Sequence, residues 1–297
     1  MDILILTECH LDDSETQDVH NFLTQTAPTL AATCCPTSQL VSTLTEPSPD
    51  DEQQEEKDAR PKSRLEPRKG PAGIIIIARK QIQERMRGKP KTMASGRLLH
   101  IKIGDGDTEA DDKQPIHIIA LYGVSGLTDA NKHKVDLARS LQEGLTTVLD
   151  RARGQRVVVL GDINGCPNRT DRTRCAEDPS ATLPSSDRHQ LALWRTIEFY
   201  SQKSDFKLHD VMHTAFPQGG APMTYCPANR SVSRLDTIHA SASMGPTLAA
   251  TASKLGCLSA THRAVFCSFP TVQLGKTKHA LTPTWSLFSM RARGLED

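Results

Sequence analysis

No apolar run in this chain approaches the ~20 residues needed to span a bilayer, so the sequence reads as a soluble protein with no membrane partner. The opening residues, MDILILTE, carry no basic segment, and their apolar run is too short for a secretory leader. No C-x-x-C pair occurs among the eight cysteines, which argues against a zinc site of familiar spacing. Cys34 and Cys35 are adjacent, and Cys9, Cys166, Cys175, Cys226, Cys257 and Cys267 are scattered, so no disulfide framework is visible. Reduced core thiols fit an intracellular, reducing compartment. Aromatic residues are scarce, at 4%, and hydrophobic residues make up 37%, so part of the 297-residue chain is expected to stay outside any core. A net charge of +1 supplies no global field, and polyanion binding would need a local patch.

What the chain does have is a set of short β-branched runs that stop on polar residues. The most informative is RVVVLGDINGCP, from Arg156 to Pro167. Val157, Val158, Val159 and Leu160 read as a strand buried on both faces. The run then delivers Asp162 and Asn164 into a loop forced by Gly165 and Pro167. Ligands collect beyond strand ends in covered sheets, because loops there can be shaped without breaking the core. The same residues could equally be a turn that ends a strand.

Other segments repeat the pattern. An apolar run at residues 2–6 leads to Glu8, and a helix beginning near Ser14 carries Val19, Phe22 and Leu23 on one face. Residues 43–70 are dense in charge and proline and read as a disordered insertion. Ile74 to Ile77 restarts order, residues 97–103 read as a strand, and IHIIALY ends on Tyr122. A helix is predicted from Thr128, its cap, to Arg153, with Val135, Ala138, Leu141 and Leu145 in its apolar stripe. A second runs from about Ser186 to Tyr200, with Leu191, Trp194 and Ile197 on one face. Two short strands then bracket a Pro-Asn loop, and the second carries Ser233, Arg234, Leu235 and Asp236. The last strand spans Ala264 to Phe269 and is preceded by Thr261 and His262. Residues 1–270 thus form one expected domain, and 271–297 a loose tail.

Strands alternating with helices bring such ends to one rim of a sheet. Glu8, Tyr122, Asp162, Asn164, Asp236 and His262 would meet there. Carboxylates without thiolate ligands suit a hard cation such as Mg²⁺, and a histidine backed by an aspartate suits a phosphoryl oxygen. Singly, each residue has a plainer reading: Glu8 a surface residue, Tyr122 a core residue, Arg234 with Asp236 a strand-face ion pair, His262 a satisfied loop histidine.

The successive motifs DILILTECHLD, IIALYGVSG, VVVLGDINGCPN, MTYCPANRSVSRLDTIHAS and ATHRAV resemble those of the endonuclease/exonuclease/phosphatase superfamily, the DNase-I-like fold. TYCPANRSVSRLDTIHAS is most similar to the apurinic-type endonuclease domains of non-LTR retrotransposons. The resemblance implies a four-layer α/β sandwich of two facing mixed sheets. It implies a phosphodiesterase that uses Mg²⁺, or Mn²⁺, on a DNA substrate, and hence a nuclear location. By the same resemblance Glu8 binds the metal and Tyr122 packs near the scissile phosphate. Asp162 activates or positions the attacking water, Asn164 hydrogen-bonds beside it, and Asp236 orients His262 toward the phosphate. Two departures stand out. Thr261 replaces the family's metal-associated aspartate, and no strand carrying an asparagine precedes Glu8, so a middle strand of one sheet is expected to be missing. These departures leave open a truncated or degenerate homologue that acts only by binding nucleic acid or a partner. The same superfamily also includes inositol-phosphate and sphingolipid hydrolases.

Overall fold

A computed structural model describes residues 3–7, 9, 13–35, 73–104, 115–128, 130–173, 180, 185–217, 220–227, 231–253, 261–269 and 285–291. The charged insertion at 43–70 and Glu8 lie outside the described residues.

β1 (Ile3–Thr7), β2 (Leu30–Cys35), β3 (Ile74–Arg79), β10 (Ala249–Ser253), β11 (Ala264–Phe269) and β12 (Trp285–Arg291) build one sheet, in the order β10-β11-β12-β1-β3-β2. β4 (Lys91–Met93), β5 (Leu98–Ile103), β6 (Ile116–Tyr122), β7 (Arg156–Asp162), β8 (His209–Asp210) and β9 (Asp236–Ala240) build the other, in the order β4-β5-β6-β7-β9-β8. Both are mixed: β1 with β12 and β6 with β7 are parallel pairs, and the remaining pairs are antiparallel. Among the described residues, five helices accompany them: α1 (Asp13–Thr26), α2 (Lys80–Gln83), α3 (Lys132–Arg151), α4 (Ser185–Ser201) and α5 (Val211–Ala215).

Alternate residues of each strand point to opposite faces, and the buried side chains sort accordingly. Ile3, Ile5, Ile74, Ile76, Val265 and Phe269 of the first sheet pack against Leu99, Ile101, Ile118, Val158, Leu160 and Ile238 of the second. The outer face of the second sheet, with Ile119, Val157 and Val159, takes Leu141, Leu145 and Val148 from α3 and Leu193, Trp194 and Ile197 from α4. On the outer face of the first, Leu23 of α1 covers Ala32 and Ile75, with Val19 beside them. The layers are therefore helix, sheet, sheet, helix. Each fully buried aliphatic side chain contributes about 1.5–3 kcal/mol, so the facing interiors hold the two sheets together.

Several local expectations shift. Helix α3 starts later than Thr128, because Asn131 accepts the Lys134 N–H at 3.1 Å and is the cap. Phe22 turns outward and is 62% exposed, although Val19 and Leu23 face the core as their spacing predicts. Within residues 271–297, for which a loose tail is expected, Trp285–Arg291 forms a strand. The sequence WSLFSMR is rich in residues that favour pleated structure, which its polar surroundings obscure. This strand lies between β11 and β1, so the middle of the first sheet is filled.

Candidate active site

Strand register brings the central side chains together. Tyr122 at the end of β6 pairs with Asp162 at the end of β7, and Asp162 pairs with Asp236 at the start of β9. Paired residues on neighbouring strands share a face, so the three form one row. Tyr122 belongs to the core between the sheets, which places this row at the mouth of the sandwich. His262, just before β11 of the opposite sheet, reaches across: its Nδ1 lies 2.9 Å from Asp236 Oδ2. Asp162 and Asp236 are fully buried, and His262 is 3% exposed.

The GDIN turn is shaped by two close approaches. A Cβ on Gly161, where φ is 144°, would meet the Leu121 carbonyl oxygen at 1.9 Å. A Cβ on Gly123 would meet that of Ile163, also at 1.9 Å. Only glycine lets these backbones touch. Asn164 adopts φ 57°, a left-handed conformation that asparagine tolerates better than most residues. Its N–H donates to Asp162 Oδ1 at 2.7 Å, and its Nδ2 donates to the Gly123 carbonyl at 3.0 Å.

Three residues that the sequence reading passed over complete the surroundings. Thr224 Oγ1 accepts the N–H groups of Leu235 and Asp236, each at 3.0 Å, and so fixes the start of β9. The Tyr225 ring lies 4.8 Å from the His262 ring, and Tyr225 bridges to Ser233 on one side and His262 on the other. Arg97 lays its guanidinium 4.7 Å from the Tyr122 ring centroid. Thr224 and Tyr225 sit within the TYC motif, the sequence signal that points to them. A lone arginine after a turn glycine gives none.

The plainer reading of Arg234, an ion pair with Asp236, does not hold. Arg234 is 1% exposed and bonds Asp171 at 2.8 Å and Asp210 at 2.7 Å. Asp210 in turn caps α5 through the N–H groups of Met212 and His213. The arginine of SRLD therefore anchors the segment before the site, while the aspartate two residues on enters it.

Burial, then the nearby Asp236 charge, pushes the Asp162 carboxyl up to about 7, against the pull of His262, the Asn164 N–H and Arg97. Burial, then the Asp162 charge, pushes the Tyr122 phenol up to about 12, so it stays protonated. Among the described residues, neither Asp162 Oδ2 nor Asp236 Oδ1, both buried, has a hydrogen-bond partner. Orphaned buried carboxylate oxygens cost several kcal/mol unless a ligand meets them. One ligand atom from each of Asp162, Asp236 and His262 lies within 4.8 Å of the others. This donor set, two oxygens and one nitrogen with no sulfur, fits a hard divalent cation. Thr261 is adjacent, its carbonyl accepting the Cys226 N–H at 2.7 Å.

No protein-family model matches the sequence. No curated protein matches it. Solved structures do. The 3′-5′ exonuclease NExo of Neisseria meningitidis is 16% identical at a TM-score of 0.57, over 90% of this chain and 89% of that one. A Neisseria 3′ phosphatase NExo variant bound to a product DNA hairpin is 16% identical at a TM-score of 0.56, over 91% and 89%. With two facing mixed sheets between helices, as in those proteins, the chain has the DNase-I-like fold.

Proposed function

We propose that this chain is a divalent-metal-dependent phosphodiester hydrolase acting on DNA. The observation that carries the reading is the convergence of Asp162, Asp236 and His262, with two carboxylate oxygens left without partners. The similarity to a DNA-bound 3′ phosphatase supports the substrate class.

In this reading, water adds to phosphorus and one P–O ester bond breaks. Asp162 orients the attacking water, and the proton that the water gives up ends on the released ester oxygen. The Asn164 N–H holds Asp162 Oδ1 in place. Asp236 fixes the tautomer and aim of His262, which contacts the phosphate. Tyr122, still protonated, packs beneath the phosphate. Asp162 and Asp236 would hold the cation through the oxygens left without partners, together with Glu8 as the resemblance implies, and Thr261 contributes at most a neutral oxygen. The cation, Mg²⁺ or Mn²⁺, supplies Lewis-acid stabilisation of charge developing on the phosphate.

The finer reading, a retroelement-type nicking endonuclease, rests on the TYCPANRSVSRLDTIHAS motif. Purified protein incubated with supercoiled plasmid and Mg²⁺ tests it, beside Asp162→Ala and His262→Ala. Conversion to open circles by the wild type alone is expected. Equal nicking by all three, or none by any, overturns it. A binding-only module is the second reading, favoured by Thr261 where a carboxylate would serve the metal. DNA retention without Mg²⁺-dependent turnover would select it.

A further inference from the structure

Arg97 is 3% exposed and precedes β5, the strand beside β6. It grips the end of β6 twice. Its backbone carbonyl accepts the Tyr122 N–H at 2.8 Å. Its Nη1 donates to the carbonyl oxygens of Gly123 at 2.8 Å and Tyr122 at 3.4 Å. The guanidinium also covers the Tyr122 ring. Gly123 is the hub of the turn. Its carbonyl takes the Asn164 carboxamide as well as Arg97, and its N–H donates to the Asp162 carbonyl at 2.7 Å. Arg97 and Asn164 thus share one acceptor, and Asn164 passes the restraint on to the Asp162 carboxylate.

The other arginine buried this deeply near the site behaves differently. Arg234 spends its charge on Asp171 and Asp210. Arg97 directs its guanidinium to backbone carbonyls and an aromatic face, and each of Arg97 and Asp162 favours the charged form of the other. Lysine would not reproduce this geometry, because its ammonium lacks the planar guanidinium that can lie over the ring while its edge donates to the carbonyls.

We infer that Arg97 is a positioning residue of this centre: it locks the Tyr122–Gly123 turn on which Asn164 and Asp162 are set, and it places a fixed positive charge behind the Asp162 carboxylate. The inference rests on the phosphodiesterase reading for its kinetic consequence and on the geometry alone for its structural one.

The test uses the full chain as wild type, Arg97→Met, Arg97→Lys and the surface control Arg153→Met. Plasmid nicking gives kcat and KM, and hydrogen exchange is followed by mass spectrometry over residues 119–128 and 160–168. Arg97→Met is expected to lose about 10²-fold in kcat, the scale of a small misplacement, with KM within about threefold. Arg97→Lys should recover less than a tenth of that loss, and the surface control none of it should show. Exchange in Arg97→Met should quicken at least about tenfold in those two segments and stay unchanged in β3 and α3. Wild-type kcat in Arg97→Met, full recovery by lysine, or exchange that quickens uniformly would each overturn the inference. If the wild type itself hydrolyses no phosphodiester, the functional reading fails, and the exchange pattern alone decides Arg97: localised quickening supports it, unchanged or uniform exchange sinks it.

Discussion

His262 Nδ1 lies 2.9 Å from Asp236 Oδ2, joining the start of β9 in one sheet to the segment just before β11 of the other. The contact closes the mouth of the sandwich and fixes which imidazole nitrogen faces the centre. Asp236→Asn keeps the volume but offers the imidazole a neutral partner. It is expected to cost about 10²–10⁴-fold in turnover, the range of a lost acid–base contribution, with little change in the urea midpoint. Turnover within threefold of wild type would remove the pair from the mechanism.

Asp162 should trade stability for function. Its carboxyl titrates higher in the folded state, so the folded form holds a proton that the unfolded form releases near 3.8. The sign follows: the stabilisation is full at acid pH and is lost as pH rises from about 4 through about 7. Above that, the fold carries a buried anion with one oxygen unmet. Asp162→Asn removes that cost, so metal-free variant protein should melt several degrees above metal-free wild type at pH 8, while its nicking activity disappears. A lower melting temperature would mean that the carboxylate is better satisfied than its surroundings indicate.

Much of this centre is legible in the sequence because each side chain follows a short apolar run. RVVVLGD and IHIIALY are buried at every position, so the ends of β6 and β7 fall where the hydrophobic pattern stops. What stays hidden depends on distant segments. Arg97 acquires meaning only when β5 lies beside β6, and the partners of Arg234 are 63 and 24 positions away. β12 is hidden for another reason: a single strand in polar surroundings shows no periodicity until its two neighbours are known. β2, β4, β8 and β10 escape notice likewise.

Divalent metal should stabilise the fold through the same carboxylates. A ligand that binds only the folded state at a hundred times its dissociation constant adds about 2.7 kcal/mol. For a chain of this size that is a rise of roughly 5–10 °C. Mg²⁺ or Mn²⁺ should therefore raise the melting temperature of the wild type, EDTA should reverse it, and Asp162→Asn should abolish most of it. A shift of equal size in the variant would locate the metal elsewhere.

A buried histidine pair gives the fold an acid limit. His100 Nε2 lies 3.0 Å from His117 Nδ1, and His117 Nε2 meets the Gln155 side chain. Burial, then the His117 and lysine charges, pulls His100 down to about 3, and burial also lowers His117. Both therefore resist protonation in the fold, whereas in the unfolded chain an imidazole protonates near 6.5. Stability from His100 is thus present above pH 6.5 and falls away toward pH 3. At pH 5 the loss from His100 alone is about 2 kcal/mol. Urea midpoints at pH 7 and pH 5 should differ less in His100→Gln than in wild type. An equal difference would show that other groups set the acid limit.

The strand β12 joins two halves of the first sheet. Among the described residues, β10 and β11 meet β1, β3 and β2 only through it. Its Ser289 is in register with Ile5 on one side and Val265 on the other. Proline removes a ladder donor and is tolerated in sheets almost only at edges. Ser289→Pro should therefore destabilise the chain by about 1–3 kcal/mol through the ladder partner it leaves unmet, whereas Ala249→Pro in the edge strand β10 should cost far less. The register can be read directly, because Ser268 and Ser286 are paired across β11 and β12. Ser268→Cys with Ser286→Cys should form a disulfide on mild oxidation, identified by peptide mass. The sheet as described requires both results, since a loosely held tail would tolerate the proline and leave the thiols unpaired.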